Sequence, residues 1–127
     1  MDTLRIALEQ VIAWSREIDP NRKISLNVLW TDGARMVGSR LNRSLWYLER
    51  EEIVICEICG HSHVHHDANK PYKAVEIASE PISHERWLAI PNGTVFAVDP
   101  DFRLRIEPFS AEAISAAEGA ETAAASS

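Results

Sequence analysis

Hydrophobic spacing changes once along this chain, and that change limits the folds open to it. From Asp2 to Ile18, Leu4, Leu8, Val11 and Ile12 recur at i, i+4, i+7 and i+8, with Ala7, Trp14 and Ile18 beside them and Arg5, Glu9, Gln10, Arg16 and Glu17 filling the other face. That period predicts one amphipathic helix. Asp19-Pro20-Asn21 ends it, because Pro20 has no N–H to donate and disfavours helical geometry at the residue before it. Beyond Pro20 the period is that of strands: Ile24-Ser25-Leu26-Asn27-Val28-Leu29-Trp30, then 35–39, then the aromatic run Ser44-Leu45-Trp46-Tyr47-Leu48, then 51–55. Asp32-Gly33 between the first two predicts a tight type I′ hairpin turn, since Gly accepts positive φ freely and Asp tolerates it.

Residues 56–72 are polar and rich in histidine and read as a loop. Further strands are expected at 73–78, 86–90, 94–98 and 103–107, separated by Glu80-Pro81-Ile82-Ser83, Pro91-Asn92-Gly93 and Asp99-Pro100-Asp101. Past Phe109 the chain is nearly all Ala, Glu and Ser, with Ile114 the one large apolar residue, so residues 110–127 are expected as a disordered tail or frayed helix. The pattern is α+β with mainly antiparallel sheet and one N-terminal helix. One helix covers only part of one sheet face. The strands must therefore stack into two sheets or leave apolar sheet surface for something else to cover.

Composition narrows the function classes. The chain has 127 residues, thirteen Lys+Arg against nineteen Asp+Glu, and a formal net charge of −6. That acidity, with no long basic run, argues against a nucleic-acid partner. No apolar run approaches the roughly 18–20 residues of a membrane span, and Met1-Asp2-Thr3-Leu4-Arg5 lacks the pattern of a secretory leader, so a soluble, cytoplasmic protein is expected. The tryptophans Trp14, Trp30, Trp46 and Trp87, without interleaved basic residues, read as core rather than as a stacking platform.

The densest local chemistry lies in Cys56-Glu57-Ile58-Cys59-Gly60-His61-Ser62-His63-Val64-His65-His66-Asp67. Two cysteines two residues apart, with Gly after the second, have the shape of half a zinc knuckle. Cys56, Cys59, His61 or His63, and His66 could complete a tetrahedral structural zinc site on a folded loop, although no second pair stands at the usual separation. A catalytic metal would need an open position and a base such as Glu57 or Asp67. A dithiol redox role would need a helix after the cysteines, and no helical period follows Cys59. His84, with Asp32 and Ser79 as imagined triad partners, has no nucleophile elbow around any Ser.

The order of motifs carries more than any one of them. Ser25 to Gly33 with its Thr31-Asp32-Gly33, then 37–40, Ser44-Leu45-Trp46-Tyr47, Ile77-Ala78-Ser79-Glu80-Pro81, Trp87, Ile90-Pro91-Asn92-Gly93 and 95–99 resembles the C-terminal half of class II glutamine amidotransferases. The subgroup is that of the ergothioneine-pathway γ-glutamyl amidohydrolases. The resemblance spans about residues 3–109 and implies half of an N-terminal-nucleophile hydrolase αββα sandwich, with 110–127 as an appended tail. In that family an N-terminal Cys attacks the γ-carboxamide of glutamine or a γ-glutamyl compound, its α-amino group acts as base, and an Asn-Gly pair helps bind the oxyanion; no cofactor is required. Here residue 2 is Asp2, and Asn92-Gly93 matches a late turn rather than the oxyanion pair. No catalytic residue carries over. Asn27, Asp32, Arg40, Ser79 and Glu80 carry over as pocket-wall candidates, with Thr31 and Gly33 in the hairpin. The resemblance thus implies a chain inactive alone, completed by an N-terminal half or associating with itself through exposed sheet surface. The competing expectation is a binding or scaffold module clasped by zinc at the Cys56–Asp67 loop.

Overall fold

The computed structural model describes residues 1–51, 57–60 and 72–119. Helix α1 (Asp2–Ile18) follows the expected period, with Asp2 in its first turn and Arg16 in its last, each suited to the helix dipole there. Asp19 ends it in an extended conformation, its N–H bonded to the Ser15 carbonyl at 3.0 Å. The strands are β1 (Val28–Thr31), β2 (Met36–Arg40), β3 (Trp46–Arg50), β4 (Ala74–Ala78), β5 (Leu88–Ala89), β6 (Thr94–Val98) and β7 (Leu104–Pro108). They form a four-stranded sheet, β1-β2-β6-β7, and a three-stranded sheet, β4-β3-β5, antiparallel throughout.

A second helix, α2 (Ala111–Glu118), stands where a disordered tail or frayed helix was expected, and adds to the single N-terminal helix of that expectation. Its start is fixed twice: Ser110 Oγ accepts the Ala113 N–H at 3.2 Å, and Glu9 of α1 accepts the Ser110 N–H at 2.8 Å. Ala113 and Ala117 are buried. They join Leu8, Ile12, Leu41, Val95 and Phe109 in the core on the helix-bearing side of the four-stranded sheet. Small side chains let α2 lie close to α1, and Ile114, partly buried against the same core, is its one large apolar residue. The expected 110–127 tail is thus helix over Ala111–Glu118, and residues 120–127 lie outside the described residues.

Side chains alternate across the sheet, so Val95 enters that core while Phe96, also fully buried, fills the opposite side. Gly38 of β2 lies opposite Phe96, where a Cβ would stand 2.4 Å from the ring. The two sheets are tied by Glu49 of β3, which accepts the Leu104 N–H of β7 at 3.2 Å, while the Ile90 N–H to Leu45 C=O bond at 2.9 Å extends the β3–β5 ladder.

Two further expectations change. β1 and β2 pair through Thr31 and Met36, leaving a four-residue loop of Asp32, Gly33, Ala34 and Arg35 in place of a two-residue type I′ turn. Gly33 has φ +88°, but Asp32 is not among the positive-φ residues. The cause is side-chain bonding within the loop, described below. Trp87 is buried as expected, whereas Trp14 and Trp30 are 55% and 54% exposed. The strand expected at 51–55 lies, after Glu51, outside the described residues.

Candidate functional site

A cleft of about 460 Å³ opens where the β1–β2 loop, the β6–β7 turn and the start of β4 meet, lined by Thr31, Arg35, Met36, Lys73, Val98 and Phe102 among others. Its rim is set by two turns that satisfy their own backbone. In the first, Thr31 Oγ1 accepts the Gly33 N–H at 3.1 Å and donates to the Arg35 carbonyl at 2.7 Å, while Asp32 Oδ1 accepts the N–H groups of Ala34 and Arg35 at 2.9 and 2.8 Å. Bonding from the Ala34 N–H and then the Arg35 N–H holds the Asp32 carboxyl below the usual range. In the second turn Asp99 Oδ1 accepts the N–H groups of Asp101 and Arg103 at 2.9 and 3.1 Å, and Phe102 takes a left-handed φ of +59°.

Arg35 and Lys73 line this cleft as cations with no ion pair among the described residues, beside the Asp99 carboxylate and apolar walls from Met36, Val75 and Val98. The described lining includes no Cys, Ser or His, and its one side-chain hydroxyl, that of Thr31, is engaged in the turn. The arrangement can bind a small anionic molecule with an apolar part. It does not by itself supply a nucleophile paired with a base.

The pocket-wall candidates act mainly as braces. Asn27 accepts the Leu41 N–H at 3.0 Å and donates to the Ser44 and Arg43 carbonyls at 3.0 and 3.3 Å, fixing the β2–β3 turn. Arg40 donates from Nε to the Arg43 carbonyl at 2.7 Å and from Nη1 to the Ile90 carbonyl. The Ser79 carbonyl accepts from Ser44 Oγ at 2.9 Å, and Glu80 is exposed beside it past the end of β4. None of Asn27, Asp32, Arg40, Ser79 and Glu80 lines the cleft; the neighbours of Asp32 do. Sequence reasoning missed Arg35, Lys73 and Phe102. Only the turn signals at Asp32-Gly33 and Asp99-Pro100 lay near them.

The strongest charge cluster lies elsewhere, on the three-stranded sheet. Arg50, 12% exposed, forms a two-pronged pair with Glu85, Nε to Oε2 at 2.9 Å and Nη2 to Oε1 at 2.5 Å, and reaches Glu76 at 2.5 Å. Ser83 Oγ donates to Glu85 at 3.0 Å and accepts the Trp87 indole N–H at 3.0 Å. The hydrogen bond with Glu85 raises the Arg50 pKa, and the same bond lowers that of Glu85. This network holds residues 83–87 on the sheet. His84 is almost fully exposed and lies 3.6 Å from Glu57, while the Asp32 imagined as its triad partner is engaged in its own turn.

Of the zinc candidates, Cys59 is described and exposed, while Cys56, His61, His63 and His66 lie outside the described residues. Among the described residues no group of three or more His, Cys, Asp or Glu side chains is placed to hold a metal ion. No described helix is long and apolar enough to cross a membrane. The chain matches no known protein-family profile and no curated protein.

Proposed function

We propose that this chain is the C-terminal half of a cytoplasmic class II glutamine amidotransferase or γ-glutamyl amide hydrolase, inactive alone and completed by a second polypeptide that begins Met-Cys. The observation that carries the reading is where the motifs fall. Thr31-Asp32-Gly33 and the turn after Val98 border one cleft between two antiparallel sheets, and that cleft offers two cations, the Asp99 carboxylate and apolar walls without a nucleophile–base pair among its described lining. A Cys whose free α-amino group takes the thiol proton is the kind of group such a cleft lacks. In the completed enzyme its sulfur would add to the γ-carboxamide carbon, ammonia would leave carrying that proton, and water would release glutamate from the thioester. Arg35 and Lys73 are the groups here suited to the substrate's carboxylate.

The test is reconstitution. This chain is expected to release no glutamate from glutamine by itself and to do so when co-expressed with an amidotransferase N-terminal half starting Met-Cys. Changing that Cys to Ala should abolish the release. A folded, co-purifying pair without glutaminase or γ-glutamyl hydrolase activity would overturn the reading.

A further inference from the structure

Sheet edges in this protein are treated unequally. β7 carries Arg105, Glu107 and Pro108 within its five residues, β4 carries Glu76, and β5 is two residues long. Charge, proline and shortness are the devices that keep an edge from pairing with another chain. β1, Val28-Leu29-Trp30-Thr31, has none of them except a length of four, and it leaves Leu29 and Trp30 51% and 54% exposed. The Leu26 N–H bonds to the Leu41 carbonyl. Ladder alternation from that pair turns the backbone groups of Val28 and Trp30 toward β2 and those of Leu29 and Thr31 outward.

From this edge we infer that β1 is a docking strand: an extended segment of a second polypeptide, apolar at its centre and acidic at its ends, adds to it as a fifth strand of the four-stranded sheet. The charge at the ends of β1 selects the occupant. Arg22 and Lys23 precede it and Arg35 follows it, without ion pairs among the described residues, while the nearby Asp32 carboxylate is engaged by the Ala34 and Arg35 N–H groups. A second copy fits poorly. Two β1 strands paired antiparallel bring Arg22 and Lys23 of both copies to the seam, and residues 22–31 hold no Asp or Glu to pair with them. The inference rests on the reading that another polypeptide completes this domain, and it names where that polypeptide docks.

The probe is a synthetic peptide, acetyl-Asp-Glu-Val-Thr-Val-Thr-Val-Glu-Asp-amide, titrated into the full chain with amide NMR shifts as readout, beside a version with Lys in place of every Asp and Glu. Saturable binding with shifts centred on Leu29 and Thr31, about ten-fold weaker for the Lys version, is expected. Leu29→Pro removes an outward N–H without removing a β1–β2 ladder bond and should abolish binding while circular dichroism stays native. Leu29→Lys, which keeps the backbone intact and adds a charge to the edge, serves if the proline variant unfolds. Absent binding, shifts elsewhere, equal affinity for the Lys peptide, or a dimer by sedimentation that Leu29→Lys dissolves would each overturn the inference. The peptide experiment needs no glutaminase, so its failure and the failure of reconstitution are separate results.

Discussion

Replacing Gly38 by alanine tests how the centre of the four-stranded sheet is built. Gly38 lies between Leu29 of β1 and Phe96 of β6, and its backbone φ is not in the left-handed range, so the question is space alone. A Cβ would stand 2.4 Å from Phe96 Cζ and 2.6 Å from the Val28 carbonyl oxygen. Non-bonded carbons rest about 3.5–4.0 Å apart, so ring and carbonyl must both move. Phe96 is 0% exposed and has no solvent to turn into, and the Val28 carbonyl is held in the β1–β2 ladder. Overpacking of this kind costs about 1–3 kcal/mol, and a backbone contact places this site toward the top of that range. The lower entropy of an unfolded chain with Ala returns about 0.4–1 kcal/mol. A net loss of about 2 kcal/mol follows, or roughly 8 °C in Tm for a domain of this size. Phe96→Leu removes the ring atoms but leaves the Val28 oxygen, so the double variant should be about 1 kcal/mol more stable than the sum of the single losses. Urea melts of the four proteins followed by circular dichroism give the cycle. A Gly38→Ala protein within about 0.5 kcal/mol of the parent, or a strictly additive cycle, would refute this account of the packing.

Ser110→Ala should lower stability by about 1 kcal/mol in the same denaturant melts, and Ser110→Gly by only a few tenths, because the Ala113 N–H loses its cap. Glu85 sits below its usual pKa when folded, so its contribution is present in full above the ordinary glutamate value and is lost as pH falls through the depressed one. Glu85→Gln should therefore melt lower than the parent at neutral pH and show a shallower decline in Tm between about pH 5 and pH 2, as thermal scans across that range would show.

Long-period signals were legible in the sequence and local chemistry less so. α1 keeps a 3.6 spacing over seventeen residues, and β6 lies between two turn dipeptides, so both fall where expected. α2 was hidden because its anchors are alanines. Ala117 is fully buried against a neighbouring helix, and hydropathy gives a methyl group little weight. The β1–β2 loop was misjudged because Asp32 and Thr31 capture N–H groups that a two-residue turn would have left to the ladder. Asn42 shows the same limit at longer range. Its φ of +64° is held by an N–H bond to Asn92 Oδ1 at 2.7 Å and by its side chain donating to the Ile24 carbonyl at 2.8 Å, partners that only the folded chain brings near. Arg35 and Lys73 meet at the cleft for a similar reason, coming from different sheets.

The polar residues that carry the family resemblance have little capacity left for a substrate, and this bears on what a partner would have to bring. Asn27 uses both ends of its amide, Arg40 two of its donors, and Asp32 one oxygen twice, all on backbone groups. Freeing one of these would strand a backbone partner at about 1–3 kcal/mol wherever water cannot replace it. Nucleophile, base and oxyanion donors must on this reading come from the second polypeptide, while Arg35 and Lys73 are cations of the cleft without an ion pair among the described residues. Thr31 links the two proposals. It is the last residue of β1 and also a wall of the cleft, so a strand added along Val28–Thr31 would end beside the cleft that needs those groups.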